Sequence, residues 1–178
     1  MKRTTLMLLF TVFSIGAQDK FKTSTAIVNF EASVPLFEEV KAVNKLGTIV
    51  LEPQTSTLIC AVIIKDFDFK MDLMKEHFND NYVESHRFPK AVFKGKIEKF
   101  DLKDIGETNK EYEVKGKMYI HGKMKLITVK ASMKKVEGGI AITSNFPLTI
   151  ADFNIDIPYV VANKISKTVQ TDLSGIMK

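Results

Sequence analysis

The chain has 178 residues, of which 26 are basic, 21 are acidic and 45% are hydrophobic. This length suits one domain with a real core rather than two. Only Arg3 and Arg87 are arginines, whereas nucleic-acid binding normally uses clustered arginine, so the composition speaks against a nucleic-acid partner. The single cysteine, Cys60, excludes an intrachain disulfide, and its β-branched neighbours predict a buried, apolar thiol.

The first 17 residues have the pattern of a secretory signal peptide. Lys2 gives a basic start, an apolar run follows from Leu6 to Ile15, and Ala17 suits a cleavage site. The apolar run is too short to span a membrane. We therefore expect residues 1–17 to be removed. Residues 18–178 would then form one exported domain with no stable membrane insertion.

The rest of the chain alternates between apolar and polar residues with a period of two. In KAVFKGKIEKF, residues 90–100, Phe93 and Ile97 fall on one face, and Lys94 and Lys96 fall on the other. Short strands of this kind form an antiparallel sheet that closes into a barrel or packs as a sandwich. The lysines then form the solvated face of the sheet rather than a membrane-binding patch. The alternation and the turn signals predict about eight strands: Phe21–Ala32, Lys45–Leu51, Ser56–Phe69, Lys90–Phe100, Tyr112–Ile120, Met124–Val136, Ile140–Leu148 and Ser166–Ile176.

One segment departs from this pattern. From Asp72 to Val83 the residues Met74, Phe78 and Tyr82 recur at every fourth position, which predicts a short helix with its first residue as the N-cap. Pro89 ends this excursion and leads into the next strand. The apolar stripe of the helix must cover something, and in a barrel the nearest unsatisfied apolar surface is the mouth or an open flank.

The three histidines, His77, His86 and His121, could form a metal site only by converging from separate elements. No pair has the i, i+4 spacing of a helical zinc site, and the chain has no CxxC motif. Three carboxylates, Glu76, Asp80 and Glu84, recur at every fourth position along one side of the predicted helix, where a solvated face is a simpler interpretation than acid/base catalysis. There is also no GxSxG motif and no phosphate-binding loop. The sequence therefore predicts neither an enzyme nor a metal site.

Three stretches occur in a characteristic order. Leu73–Ile97 is a helix that enters a strand through the aromatic-Pro-x-x-x-Phe pattern of residues 88–93. YIHGKMKLITVKASM, residues 119–133, has the form of a tight hairpin, and IADFNIDIP, residues 150–158, contains an Asp-Phe-Asn core. Together they resemble the YceI family of exported, lipocalin-like proteins, whose loop carries Asp-Phe-Gly. The likeness spans essentially the whole chain after the signal peptide.

Two departures from the family pattern affect the site. The family often carries a histidine in its first long strand, and residues 28–44 contain none, so a polar contact at that end of a pocket is not carried over. Asn154 stands where the family loop usually has glycine. Asparagine tolerates positive φ better than other non-glycine residues, so we expect the same turn.

The resemblance implies an all-β fold, an extended eight-stranded antiparallel lipocalin-like barrel with one short helix at about Asp72–Val83. Such a barrel encloses an apolar tunnel for a polyisoprenoid chain or a quinone tail. The implied partner is an isoprenoid lipid, and no cofactor is implied beyond such a bound lipid. The protein would be periplasmic or secreted in a Gram-negative bacterium, and it would be a monomer or a homodimer.

The residues themselves support a container. Small residues, Ala61, Ala91, Gly95 and Gly116, lie between large apolar ones on the predicted inward faces. They either let the barrel collapse onto its own core or leave space for a ligand. The alternative to a lipid carrier is therefore an envelope stress or interaction protein with a filled barrel. The large apolar residues that we predict to line the tunnel are Ile59, Ile63, Phe67, Phe69, Phe78, Phe93, Ile97, Val114, Met118, Ile120 and Phe146.

Overall fold

The computed structural model of the protein describes residues 20–178, so the predicted signal peptide at residues 1–17 lies outside the described residues. Within that range the strands are Phe21–Ser33 (β1), Lys41–Glu52 (β2), Thr57–Ile63 (β3), Asp68–Phe69 (β4), Lys90–Ile97 (β5), Lys110–Ile120 (β6), Lys123–Val136 (β7), Gly139–Thr149 (β8) and Ile165–Met177 (β9). The helix α1 spans Asp72–His77 and continues into a π-helical turn at Phe78–Tyr82. Short 3-10 turns lie at Pro53–Thr55, Ile64–Asp66, Leu102–Asp104 and Ile150–Phe153.

The strands close into an antiparallel barrel. Their order around the sheet is β1-β9-β8-β7-β6-β5-β3-β2, and β1 also pairs with β2, which completes the ring. The two-residue strand β4 adds to β2 outside this ring of eight. The predicted eight-stranded barrel with one short helix is therefore confirmed. No helix within residues 20–178 combines the length and the apolar composition that crossing a bilayer requires.

Two local predictions are wrong. The strand predicted at Ser56–Phe69 is interrupted, because the chain leaves the ladder after Ile63 and makes a 3-10 turn before β4. Asp72 is the first residue of α1 and not its N-cap; Met71 holds that position, with no side-chain hydrogen bond to the helix. Both errors lie where the chain leaves the barrel wall, because the local apolar pattern does not reveal how the backbone turns there.

The inward and outward faces of β5 and β6 follow the predicted alternation. Phe93 and Ile97 are buried, whereas Lys94 and Lys96 between them are exposed. On β6, the buried Val114 and Met118 alternate with exposed lysines in the same way. The apolar side chains thus fill the interior, and the lysines form the solvated outer face.

The two ends of the barrel differ. Because the chain runs up and down, the segments 34–40, 64–89, 121–122 and 150–164 all lie at one end, which we call the cavity end. The opposite end, the filled end, contains both termini of the described chain and the β5–β6 loop, whose Ile105 is fully buried. Its core consists of buried apolar residues: Ile49, Leu51, Ile97, Ile105, Val114, Met133, Ile142 and Met177.

Candidate functional site

The cavity end contains an apolar cavity of about 180 Å³. It extends from the middle of the barrel to the segments that enclose this end. The few polar residues that line it are small, such as Ser144 and Thr171, and no charged residue lines it. The apolar lining residues that shape it most are Val28, Phe30, Leu58, Val62, Phe67, Phe78, Val83, Ala91, Phe93, Met118, Ile120, Phe146, Leu148, Phe153 and Leu173.

Residues 72–88, which we call the helical cover, close one side of this cavity. Phe78 lies where α1 becomes a π-helical turn, and its ring packs 5.4 Å from Phe30 and 5.0 Å from Phe69, centroid to centroid. Phe67 completes this four-ring cluster at 5.2 Å from Phe30. Of the predicted apolar stripe, Phe78 therefore covers the cavity, whereas Met74 and Tyr82 are not among its lining residues.

A second segment, residues 150–155, which we call the closing turn, packs against the same cavity. Phe153 is only 2% exposed and lines the cavity together with Ile150 and Ile155. Asn154 ends the 3-10 turn in the left-handed region, with φ 52°. The prediction that asparagine preserves this turn is therefore confirmed. The left-handed residue turns the chain back so that Phe153 and Ile155 can both face the cavity.

His121 connects these two segments to the barrel wall. It lies in the β6–β7 turn, and its Nδ1 is 3.0 Å from the backbone oxygen of Phe153. Its Nε2 is 2.9 Å from a carboxylate oxygen of Glu84 in the helical cover. Arg87 also binds Glu84, at 2.6 Å. The hydrogen bonds from His121 and Arg87 lower the pKa of the Glu84 carboxyl.

Cys60 lines the cavity from β3. Burial among apolar groups raises the pKa of its thiol to about 12, because the thiolate would lose its hydration. The residue is nevertheless only half-buried, because part of its surface borders the cavity. The thiol is therefore an inert, apolar wall group.

The structure brings six of the eleven predicted tunnel residues to the cavity: Phe67, Phe78, Phe93, Met118, Ile120 and Phe146. Phe69 lies behind this lining in the four-ring cluster. Ile97 and Val114 are buried in the filled end, below the cavity. Contact of any of these residues with a lipid remains a prediction.

Ile59 and Ile63 lie on the outer face, opposite to the face predicted for them. They pair across β3 and β5 with Lys94 and Lys90, and cross-strand partners share a face. Cys60 pairs with the inward-facing Phe93 instead. The reason for the error is that LICAVI, residues 58–63 of β3, is an unbroken apolar run, so the sequence gives no sign of which face is buried.

Gly95 and Gly116 do not leave space for a ligand. They are paired directly across β5 and β6, and a Cβ on Gly116 would lie 2.5 Å from the Cα of Gly95 and 2.8 Å from the ring of Phe93. The ring of Phe93 thus occupies the space over the two glycines. Of the four small residues, Ala91 lines the cavity from the inward face of β5. Ala61 also borders the cavity, but it shares the outer face of β3 with Ile59 and Ile63, opposite to the face predicted for it.

Sequence reasoning missed lining residues on the strands β1 and β9. Val28 and Phe30 alternate with polar residues in β1, and Val169 and Leu173 do the same in β9. The period-two signal could have found these four residues. No such signal marks Val83 or Phe153, because their positions depend on how the helical cover and the closing turn fold back over the barrel.

The three histidines do not converge. His77 and His86 are exposed on the helical cover, and His121 is mostly buried between Glu84 and Phe153. Within residues 20–178 there is no group of three His, Cys, Asp or Glu side chains that could hold a metal ion.

Residues 19–175 match the model of the family described as the YceI-like domain. The chain belongs to the YceI family. A comparison with curated proteins gives no match. The closed barrel with its helical cover is therefore the YceI fold, and the cavity lies in the interior of this family's barrel.

Solved structures share this YceI fold. A polyisoprenoid binding domain from Saccharophagus degradans, implicated in plant cell wall breakdown, is 14% identical, with a TM-score of 0.75 over 87% of this chain and 95% of that one. BcnA from Burkholderia cenocepacia is 15% identical, with a TM-score of 0.67 over 84% and 94%. A Campylobacter jejuni YceI protein is 17% identical, with a TM-score of 0.54 over 100% and 99%. At these identities the likeness shows the fold.

Proposed function

We propose that this protein binds the apolar chain of a lipid, such as a polyisoprenoid or a quinone tail, in the cavity and catalyses no reaction. The observation that carries the proposal is the contrast between the two ends of the barrel. The filled end is closed by fully buried side chains such as Ile105 and Met133, whereas the cavity end leaves about 180 Å³ free inside an apolar lining. Unfilled space costs stability, so a barrel that serves only as a scaffold gains nothing from it.

The size of the cavity indicates how a lipid would be held. A cavity of about 150 Å³ binds one benzene molecule, so the space here holds about one isoprene unit. A longer chain must displace the helical cover or the closing turn. Movement of these two segments would leave the barrel ladders intact, because both segments lie outside the paired strands.

Two further observations support the ligand class and a binding role. One solved structure of the same fold is a polyisoprenoid binding domain. The cavity has no charged lining residue, so buried chain area rather than a head group would supply the binding energy. One closed barrel suffices for one chain, and we expect a monomer or homodimer with no nucleic-acid partner.

We also propose that the protein is exported to the periplasm or secreted after cleavage near Ala17. The basic, then apolar N-terminal pattern supports export, and so does the typical periplasmic location of the family. Mass measurement of the protein from a periplasmic extract should show the loss of about 17 residues. An intact N-terminus on the extracted protein would contradict export.

Native mass spectrometry of the protein purified from its own envelope tests the binding function. We expect a population heavier than the mature chain, and release of a lipid when organic solvent unfolds it. The same protein refolded without lipid is the control and should bind added farnesol. A single mass equal to the chain alone, together with no binding of farnesol, would contradict the proposal and favour the interaction protein without a ligand.

A further inference from the structure

The β6–β7 turn holds a mostly buried imidazole at the edge of the cavity. Both of its residues, His121 and Gly122, have positive φ, 49° and 70°. This backbone directs the ring of His121 between Glu84 and Phe153, at the 2.9 and 3.0 Å given above. Only 12% of the His121 side chain is exposed, so water competes weakly for either contact.

Both atoms that face the ring are hydrogen-bond acceptors. A carbonyl oxygen and a carboxylate oxygen have no hydrogen to donate, so each contact needs an N–H on the histidine. Only the imidazolium carries an N–H on both ring nitrogens. The lowered pKa of Glu84 means that its carboxyl does not supply the missing hydrogen. When the imidazolium gives one proton to water, one of the two contacts becomes a ring lone pair that faces an oxygen.

The other charged groups around the ring are paired or lie at its edge. Arg87 is bound to Glu84. On the other side of the turn, Lys125 in β7 binds Asp152 in the closing turn at 2.8 Å, and Lys123 is exposed. Glu84 is thus the charged group that contacts the imidazole directly.

The residues around this imidazole belong to three different parts of the cavity wall. Glu84 follows Val83 in the helical cover, and His121 follows Ile120 in β6. Val83, Ile120 and Phe153 all line the cavity. The two hydrogen bonds therefore join the helical cover and the closing turn to the barrel.

We propose that His121 is a pH-sensitive latch on the cavity: its imidazolium holds the helical cover and the closing turn against the barrel, and loss of one proton releases one of them. The role in lipid exchange rests on the proposed function, whereas the latch itself needs no ligand. A chain longer than about one isoprene unit exceeds the cavity, so exchange requires these segments to move. Exchange is slow in acid and faster above the range of about pH 5 to 8 in which imidazoles change charge.

The test uses the mature chain with the exposed His77 and His86 replaced by glutamine, so that His121 is the remaining imidazole. The probe is N-phenyl-1-naphthylamine, an apolar dye that is neutral over this range and fluoresces in apolar sites. We expect its dissociation rate, measured by stopped flow, to rise about tenfold from about pH 5 to about pH 9, in one titration step.

Glu84→Gln is the decisive variant, because a glutamine amide can donate a hydrogen bond. A neutral imidazole then keeps both contacts: Nδ1–H donates to Phe153, and Nε2 accepts from the amide. The dissociation rate should therefore no longer depend on pH. Arg87→Gln is the matched control, since it removes the other partner of Glu84 but keeps both acceptors, and its pH step should remain. An equal step in Glu84→Gln, or no step in the parent protein, would overturn the latch.

A measurement without ligand separates failure of the latch from failure of lipid binding. If neither the dye nor farnesol binds, the proposed function fails, and the latch is judged by nitrogen NMR of His121 and by amide exchange. We expect N–H signals on both ring nitrogens in acid. Amide exchange in residues 83–88 and 150–155, corrected for intrinsic rates, should rise about tenfold as the ring titrates. A single ring N–H in acid, or unchanged amide exchange, would contradict the latch.

Discussion

Asn44 connects β2 to β3 near the cavity end, where these two strands are not paired with each other. Its side chain is fully buried; Nδ2 donates to the carbonyl oxygen of Ile63 at 2.9 Å, and Oδ1 accepts from the N–H of Leu46 at 2.8 Å. The regular pairing of β2 with β3 begins only at Thr48, so these two bonds replace missing ladder contacts. Asn44 thus holds the last residue of β3 to β2.

Replacing Asn44 by alanine should leave two backbone groups without partners. We expect Asn44→Ala to lower the free energy of unfolding by about 3 kcal/mol, measured by urea denaturation. Asn145→Ala is the matched control, because Asn145 makes an exposed bond to Asp172 at 2.6 Å and should cost less than about 0.5 kcal/mol. Equal losses in both variants would contradict the role of Asn44.

The desolvated thiol of Cys60 gives a prediction about pH. The thiolate is the reactive form, and a pKa of about 12 keeps it scarce until the pH approaches that value. At about pH 8 its thiolate fraction is roughly a thousandfold below that of a free cysteine. Alkylation by iodoacetamide should be correspondingly slow in the folded protein and fast in urea. Alkylation of the folded protein at the rate of free cysteine would show that the thiol is not desolvated.

Some single residues could be predicted from sequence and others could not. The apolar surroundings of Cys60 and the left-handed turn at Asn154 follow from neighbouring residues and from backbone preference. The roles of Asn44 and His121 depend on partners in segments far along the chain. His121 binds Glu84 from 37 positions away, and no local pattern indicates that contact.

Among the elements, β5 and β6 could be assigned to faces and β3 could not. Lysine at alternate positions of β5 and β6 marks their outer face, because a lysine ammonium stays in water. The unbroken apolar run of β3 carries no such mark. The helix could be predicted from its stripe, yet its π-helical end could not, since that geometry depends on packing against Phe30 and Phe69.

The glycine pair between β5 and β6 gives a test of the packing of these strands. Gly116→Ala should destabilise the protein by about 2 kcal/mol, because the new methyl group meets the backbone of Gly95 and the ring of Phe93. Gly106→Ala is the control: nothing lies within 4 Å of its Cβ position, so stability should change by less than about 0.5 kcal/mol. Thermal unfolding of both variants measures the difference. A Gly116→Ala protein as stable as Gly106→Ala would show that the strands have room there.

At the scale of the whole molecule, the barrel combines the two alternatives that the sequence left open. The filled end is collapsed onto residues such as Ile97 and Val114, as a filled barrel predicts. The cavity end leaves space beside Ala91, as a carrier predicts. The sequence could predict the closed barrel from its strand period. It could not predict the division into two ends, because that depends on how the loops of each end pack into the interior.

The most direct test of the carrier function is a calorimetric binding series with geraniol, farnesol and geranylgeraniol. Affinity should rise with chain length, because each further buried CH₂ contributes at most about 0.8 kcal/mol. Ala91→Leu fills the cavity from β5 and should weaken binding of farnesol about tenfold while the free protein stays folded. Ala141→Leu, on the outer face of β8, is the control and should bind as the unchanged protein does. The predicted result is an affinity that rises with chain length and that falls only in Ala91→Leu. The account would be contradicted by no binding at all. It would also be contradicted by one affinity shared by all three alcohols in the unchanged protein, Ala91→Leu and Ala141→Leu.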